Sequence, residues 1–248
     1  MDHNKDIYLM TTCLGESFFP SVLKNTLEIL ESLGCNVTIP MEQTCCGQPA
    51  FNSGDFDASK KIALNNLNHF SGNNHLVVPS GSCTAMHRHG NLIQFEKDEV
   101  KKEIEQMGKR TIELIDFIYN ILGIKKWAGR LEKTIAIHHS CHTRNTATGN
   151  AIESLLSSIE GIKILTFGQG EQCCGFGGTF SVSYPYISKK VGDLKIEHVL
   201  SQSPDLLVSS DMSCLMHIKG LADKTERQLE ISHVIDVLHE AMNGSSNE

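Results

Sequence analysis

The chain has 248 residues, 40% apolar and 21% charged, which excludes disorder as a description of the whole and leaves room for one large domain or two of about 120 residues. Twenty-two Lys and Arg against 29 Asp and Glu give a net charge of -7, with no basic run that would track phosphates, which argues against nucleic acid as a partner. No apolar run approaches the roughly 18 residues that span a bilayer, and Met1 to Asp6 lack the apolar stretch of a signal peptide, so the expectation is a cytoplasmic protein without a transmembrane segment.

Ile7 to Met10 is a short apolar run that predicts a buried strand, with Cys13 just past its end. Val22, Leu23, Leu27, Leu30 and Leu33 follow at helical spacing and stop at Gly34. Val37 to Ile39 predicts a second strand, and Cys45, Cys46 and Gly47 lie in the loop after it. Residues 57 to 70 form another amphipathic helix through Ile62, Leu67 and Phe70; Leu76 to Val78 is a third strand, and Cys83 lies shortly beyond. Glu96 to Lys133 is charged and predicts a solvated helical connection carrying Trp127, the only tryptophan. The order then repeats: a strand at Ile135 to Ile137, a helix near Ile152 to Ile159, a strand at Ile162 to Leu165, the Cys173 loop, a helix near Ile187 to Leu200, and a strand at Leu206 to Val208. Asn243 to Glu248 predicts a disordered tail. Strands alternating with helices predict βαβ units and parallel sheet, with the motif cysteines in strand-end loops.

The cysteines show that the chain is an approximate tandem duplication. Cys13 and Cys141, Cys45 and Cys173, Cys46 and Cys174, and Gly47 and Gly175 all recur at an offset of 128 residues. Each copy reads C-x31-C-C-G, followed after 35 residues by Cys83 in the first and after 38 by Cys214 in the second. The ends correspond too, since Thr111 to Leu122 resembles Ile231 to Met242. The expected division is residues 1–130, a first copy with its helical linker, and residues 131–248, the second.

Nine cysteines in a chain without a secretory signal point to metal or redox chemistry before disulfides, and the odd count argues against a closed disulfide framework. Two adjacent thiolates rarely fit one small ion without straining the backbone between them, whereas a polynuclear cluster offers each its own iron. Four cysteines per copy equal the thiolate requirement of a 4Fe-4S cluster, so Cys13, Cys45, Cys46 and Cys83 form one candidate ligand set and Cys141, Cys173, Cys174 and Cys214 another. Gly47 and Gly175 let the backbone turn and bring N–H groups to the sulfurs, and Cys35 is left as a buried structural thiol. Zinc remains an alternative, although the C-C-G pair lacks the usual C-x2-C knuckle, as do a vicinal dithiol for exchange chemistry and a purely structural set. Gly175, Gly177 and Gly178 give a weak phosphate signal, since no Lys-Ser/Thr follows, and no flavin or nicotinamide fingerprint appears.

The segments CLGESFFPSV, LESLGCNV, QTCCGQPAFNSG, IHHSCHTR, CCGFGGTFSVSYPYIS and DMSCLMHIKG resemble the lactate utilisation protein A family (LutA/YkgE) over nearly the whole chain. More distantly the chain is similar to the cysteine-rich CCG domains of heterodisulfide reductase and of the iron-sulfur subunits of glycolate oxidase and anaerobic glycerol-3-phosphate dehydrogenase. The resemblance implies an α/β fold of two tandem, pseudo-symmetric, Rossmann-like CCG repeats. It also implies an iron-sulfur electron-transfer subunit of a complex that oxidises L-lactate to pyruvate, an oxidoreductase active only with its B and C partner subunits. The alternatives are a zinc-stabilised assembly module of that complex and a thiol/disulfide oxidoreductase like heterodisulfide reductase. The broader CCG pattern ends each copy C-x-x-C, where this chain has Met86 and His217. His217 is therefore a candidate extra ligand or a histidine hydrogen-bonded near the site, and Met86 is expected to pack. His138, His139, His142 and Arg144 crowd Cys141; His142 and Arg144 suit donation to cluster sulfur or to an anionic substrate, against strand-end polar groups satisfied by backbone. His139 stands where the resemblance leads one to expect an acid.

Overall fold

The computed structural model describes residues 5–168 and 172–244. They divide between Phe117 and Ile118 into two compact units, each with its own four-stranded sheet. In the first, the apolar opening run forms β1 (Asp6–Leu9), and α1 (Cys13–Ser17) and α2 (Pro20–Ser32) lead to β2 (Asn36–Thr38). Helices α3 (Gln48–Asn52) and α4 (Phe56–His69) lead to β3 (His75–Val78); α5 (Gly81–Ala85), α6 (Asn91–Gln94) and α7 (Lys101–Arg110) lead to β4 (Thr111–Glu113) and the single turn α8 (Leu114–Asp116). The strands lie in the order β2-β1-β3-β4, all parallel, with Ile7 opposite both Val37 and His75 and Leu76 opposite Thr111.

The second unit repeats this plan with β5 (Arg130–Ile137), α9 (Thr148–Ser157), β6 (Glu160–Leu165), α10 (Thr179–Ser183), α11 (Pro185–Leu200), β7 (Leu206–Ser209), α12 (Met212–Lys224), β8 (Ile231–His233) and α13 (Val234–Gly244). Its order, β6-β5-β7-β8, is again all parallel, with Ile135 opposite both Ile164 and Leu206. The fold is thus the parallel α/β arrangement that strand-helix alternation predicts, in the two Rossmann-like repeats that the resemblance implies. Parallel neighbours need helical crossovers, and these cover the sheet so that Ile7, Leu9, Leu76, Val77, Ile135, Leu207 and Val208 are wholly buried.

Four features differ from the sequence expectation. Glu96 to Lys133 is not one helical connection, because α7, β4, α8 and the start of β5 all fall within it. Strands β4 and β8 are only three residues long and each pairs along one side only, so neither carries an apolar run that periodicity detects. Cys13, Cys83 and Cys214 sit on helices that begin past strand ends rather than in loops. Asn243 and Gly244, placed in the predicted tail, finish α13, and the rest of that tail lies outside the described residues. Among the described residues no helix is long and apolar enough to cross a membrane.

Candidate metal centres

Strand order reverses between β1 and β3, and again between β5 and β7, and in open parallel sheets a crevice forms outside the carboxyl ends of the strands at such a point. In the first unit Cys13 opens α1 beyond β1, Cys45 and Cys46 lie in the loop leaving β2, and Cys83 sits in α5 beyond β3. Thr12, in the left-handed region at φ 61°, caps α1 by accepting the Gly15 N–H at 3.1 Å. Cys46 and Cys83 are rooted in the core with Met10, Phe70 and Leu76, while Cys45 is half-buried and Cys13 exposed, so the set runs from core to surface.

Cys45 Sγ lies 3.6 Å from Cys13 Sγ, and Cys46 hydrogen-bonds both Cys45 and Cys83. Shared hydrogen bonds with Cys13 and Cys46 hold the Cys45 thiol down at about 2, and the Gly47 N–H adds to this. Cys13 and Cys46 are raised, first by those same bonds to Cys45 and then by burial in the case of Cys13, and by the Cys83 bond and burial in the case of Cys46. Gly47 turns the loop at φ 88°, and Asn66 pins it by donating Nδ2 to the Cys45 carbonyl at 2.9 Å and accepting the Thr44 N–H at 3.0 Å. Met86, in a π-wound turn between α5 and α6, is buried over Gly90. His87 in the same turn is fully buried with neither ring nitrogen partnered, and burial holds it down at about 4.

The second set has the same gradient. Cys141 opens a 3-10 turn beyond β5 and is exposed; Cys173 is half-buried in the loop after β6; Cys174 and Cys214 are buried in the core with Ala136, Leu207 and Ile218. Cys174 Sγ lies 3.2 Å from Cys214 Sγ. The N–H of Gly175 donates to Cys173 Sγ at 3.3 Å and that of Phe176 to Cys174 Sγ at 3.4 Å. Cys173 is lowered by its bonds to Cys141 and Cys174, and those two are correspondingly raised. Four soft sulfur donors converge in each unit, and all nine cysteines are free thiols, so the donor sets fit a thiolate-bound metal or iron-sulfur group. Cys35 is buried between α2 and β2 and belongs to neither set.

Of the two readings of His217, the structure has the hydrogen-bonded one. His217 Nε2 faces Ser188 Oγ at 3.3 Å, and its ring lies 5.5 Å from that of Phe176. The nitrogen that lies with Cys174 and Cys214, all three ligand atoms within 4.8 Å of one another, belongs to His138. His138 occupies the place of Met10: its N–H donates to the Val208 carbonyl at 2.8 Å as that of Met10 does to Val77 at 3.0 Å. Its ring nitrogens are buried and unpartnered rather than satisfied by backbone, and burial, reinforced by Lys195, holds it at about 3. Lys195, buried on α11, is a residue that sequence reasoning missed. His139 Nε2 meets Glu153 Oε1 of α9 at 3.0 Å. This pair and Arg144 line a cleft of about 400 Å³ at the ends of β5 and β6.

Two parallel α/β units that each gather four cysteines beyond their strand ends define a duplicated cysteine-rich protein. The Cysteine-rich domain family CCG matches at residues 7–88 and 135–219, one match per unit. The chain is 36% identical to Lactate utilization protein A 1 of Bacillus mycoides over 236 residues, 94% of this chain and 96% of that one. It is 37% identical to Lactate utilization protein A of Shouchella clausii over 94% of this chain and 98% of that one, and 38% identical to Lactate utilization protein A 1 of Bacillus anthracis over 96% and 99%. The chain belongs to the lactate utilization protein A family. A hypothetical protein from Helicobacter pylori shares the fold, with a TM-score of 0.69 at 11% identity, over 96% of this chain and 49% of that one.

Proposed function

We propose that the chain is the iron-sulfur electron-transfer subunit of a cytoplasmic system that oxidises L-lactate to pyruvate, working with B and C partner subunits. The observation that carries the reading is the repeated set of four thiols, each running from two core-rooted sulfurs to one exposed sulfur. A wholly structural site has no need of an exposed edge, whereas an electron carrier needs a route out. The names of the relatives supply the substrate.

A bound iron-sulfur cluster supplies one-electron storage. Cys13, Cys45, Cys46 and Cys83 would hold one, and Cys141, Cys173, Cys174 and Cys214 another. Cys46, Cys83, Cys174 and Cys214 fix the ligands to the core. The N–H groups of Gly175 and Phe176 donate to sulfur and disperse negative charge. Removing two electrons from lactate matches two centres that take one each. The exposed Val182, Tyr184, Tyr186 and Ile187, just past the Cys173 loop, suit a docking partner. Zinc is the second reading, because sulfurs 3.2 and 3.6 Å apart approach the edge of about 3.8 Å expected for a tetrahedral site with Zn–S bonds near 2.3 Å.

The test is anaerobic purification with the partners, followed by iron, zinc and acid-labile sulfide analysis and electron paramagnetic resonance before and after L-lactate. About four or eight iron and sulfide per chain, with a signal that lactate changes, is expected. Stoichiometric zinc without sulfide, persisting after attempted reconstitution, would instead assign the chain to a zinc-stabilised assembly module.

A further inference from the structure

Lys195 stands on the face of α11 that buries Ser188, Gly192, Ile196 and Val199. The residue is wholly buried, its Nζ has no hydrogen-bond partner, and it lies 4.6 Å over the Phe167 ring centroid. An ammonium held this way is heavily penalised unless a counter-charge meets it. The same helix face meets the thiol set of the unit: a Cβ on Gly192 would lie 3.2 Å from the Cys174 carbonyl oxygen, and Phe167, the ring beneath the ammonium, packs in one core cluster with Cys174 and Cys214.

The first unit shows the same position without the charge. Ser59, Ala63 and Asn66 are buried on α4 at the spacing of Ser188, Gly192 and Lys195, and Ser59 abuts Gly47 as Ser188 abuts Gly175. Asn66 is neutral and its amide is taken up by the Cys45 carbonyl and the Thr44 N–H. Met10 likewise stands where the second unit has His138.

We propose that Lys195 is a built-in counter-ion for a metal–thiolate group on Cys141, Cys173, Cys174 and Cys214, so that the second centre accepts an electron more readily than the first. The redox half rests on the iron-sulfur reading above; the counter-ion half holds for any metal bound by four thiolates. Thiolates bring negative charge, reduction adds more, and a cation fixed beside them in a low dielectric stabilises the more negative state. Lys195 acts through the bound group and is a positioning residue.

The experiment uses the whole chain carrying Cys45→Ser and Cys46→Ser, so that only the second set is loaded, with Lys195 kept, changed to Met or changed to Arg. After anaerobic reconstitution, a redox titration followed by electron paramagnetic resonance is expected to show the Lys195→Met centre at least tenfold harder to reduce, about 59 mV more negative for one electron. Lys195→Arg should stay near the parent. The metal-free Lys195→Met chain should melt no lower than the parent, since it loses an unpaired buried charge. Equal potentials for parent and Lys195→Met would overturn the inference, as would a metal-free Lys195→Met chain that melts well below the parent. If the parent takes up no iron and sulfide, the iron-sulfur reading fails separately. Zinc titration then decides the counter-ion half, with at least tenfold weaker binding by Lys195→Met expected and equal binding overturning it.

Discussion

Gly47 and Gly175 occupy the same place in the two motifs, yet their surroundings differ in a way that separates turn chemistry from packing. Both are left-handed, at φ 88° and 91°. A Cβ on Gly47 would lie 3.3 Å from Ser59 Oγ and Ile62 Cγ2, side-chain atoms that can give, whereas one on Gly175 would lie 2.5 Å from the Ser188 carbonyl oxygen, which cannot. Gly47→Ala should therefore lose about 1–2 kcal/mol, the strain of a left-handed L-residue. Gly175→Ala should lose more and should also displace the N–H that meets Cys173 Sγ. Urea unfolding of the two metal-free variants checks this, and equal losses would show that the backbone clash relaxes. Six of the motif cysteines and these glycines were legible because a repeat exposes them by offset alone, and Cys83 and Cys214 because each follows its motif at nearly the same distance. Lys195 was not, and His138 was named only as one of the residues crowding Cys141, since spacing places them on a helix face and a strand end without revealing that each is buried with no hydrogen-bond partner.

At the scale of elements, the second sheet depends on how α13 seats against the entry to β5. Trp127 Nε1 donates to the Leu238 carbonyl of α13 at 2.8 Å in a buried contact, and Gly129, at φ 137°, passes so close to Ala241 that any Cβ there would strike its carbonyl oxygen. Trp127→Phe keeps most of the apolar area and removes the donor, so a loss of about 1–3 kcal/mol is expected, measured by denaturation followed through far-UV circular dichroism. Unchanged stability would mean that packing alone seats the helix. Among the described residues the sequence pattern identified six strands of eight, because central parallel strands are continuous apolar runs, and the crossover helices α2, α4, α9 and α11, but not α12. It missed β4 and β8, whose three residues, Thr111–Glu113 and Ile231–His233, depend for their strand state on a neighbour already in place. The match between Thr111 to Leu122 and Ile231 to Met242 was the available clue, since both segments turn out to be a short strand that runs straight into a helical turn.

At the scale of the molecule, all four cysteines of each set come from one side of the division at Phe117 and Ile118, and each set is rooted in the core of its own unit. Neither set borrows a cysteine from the other unit, so loading of one should not require loading of the other. On the iron-sulfur reading, replacing Cys45 and Cys46 by Ser should leave the second set intact, and replacing Cys173 and Cys174 should leave the first. Iron and sulfide per chain should then fall from about eight to about four in either pair variant, and to none in the combination. Removing everything with one pair and nothing with the other would assign the metal to a single unit. Losing all of it with either pair would show that the two sets are coupled despite their separate ligands, and the duplication would then have produced one cooperative centre rather than two.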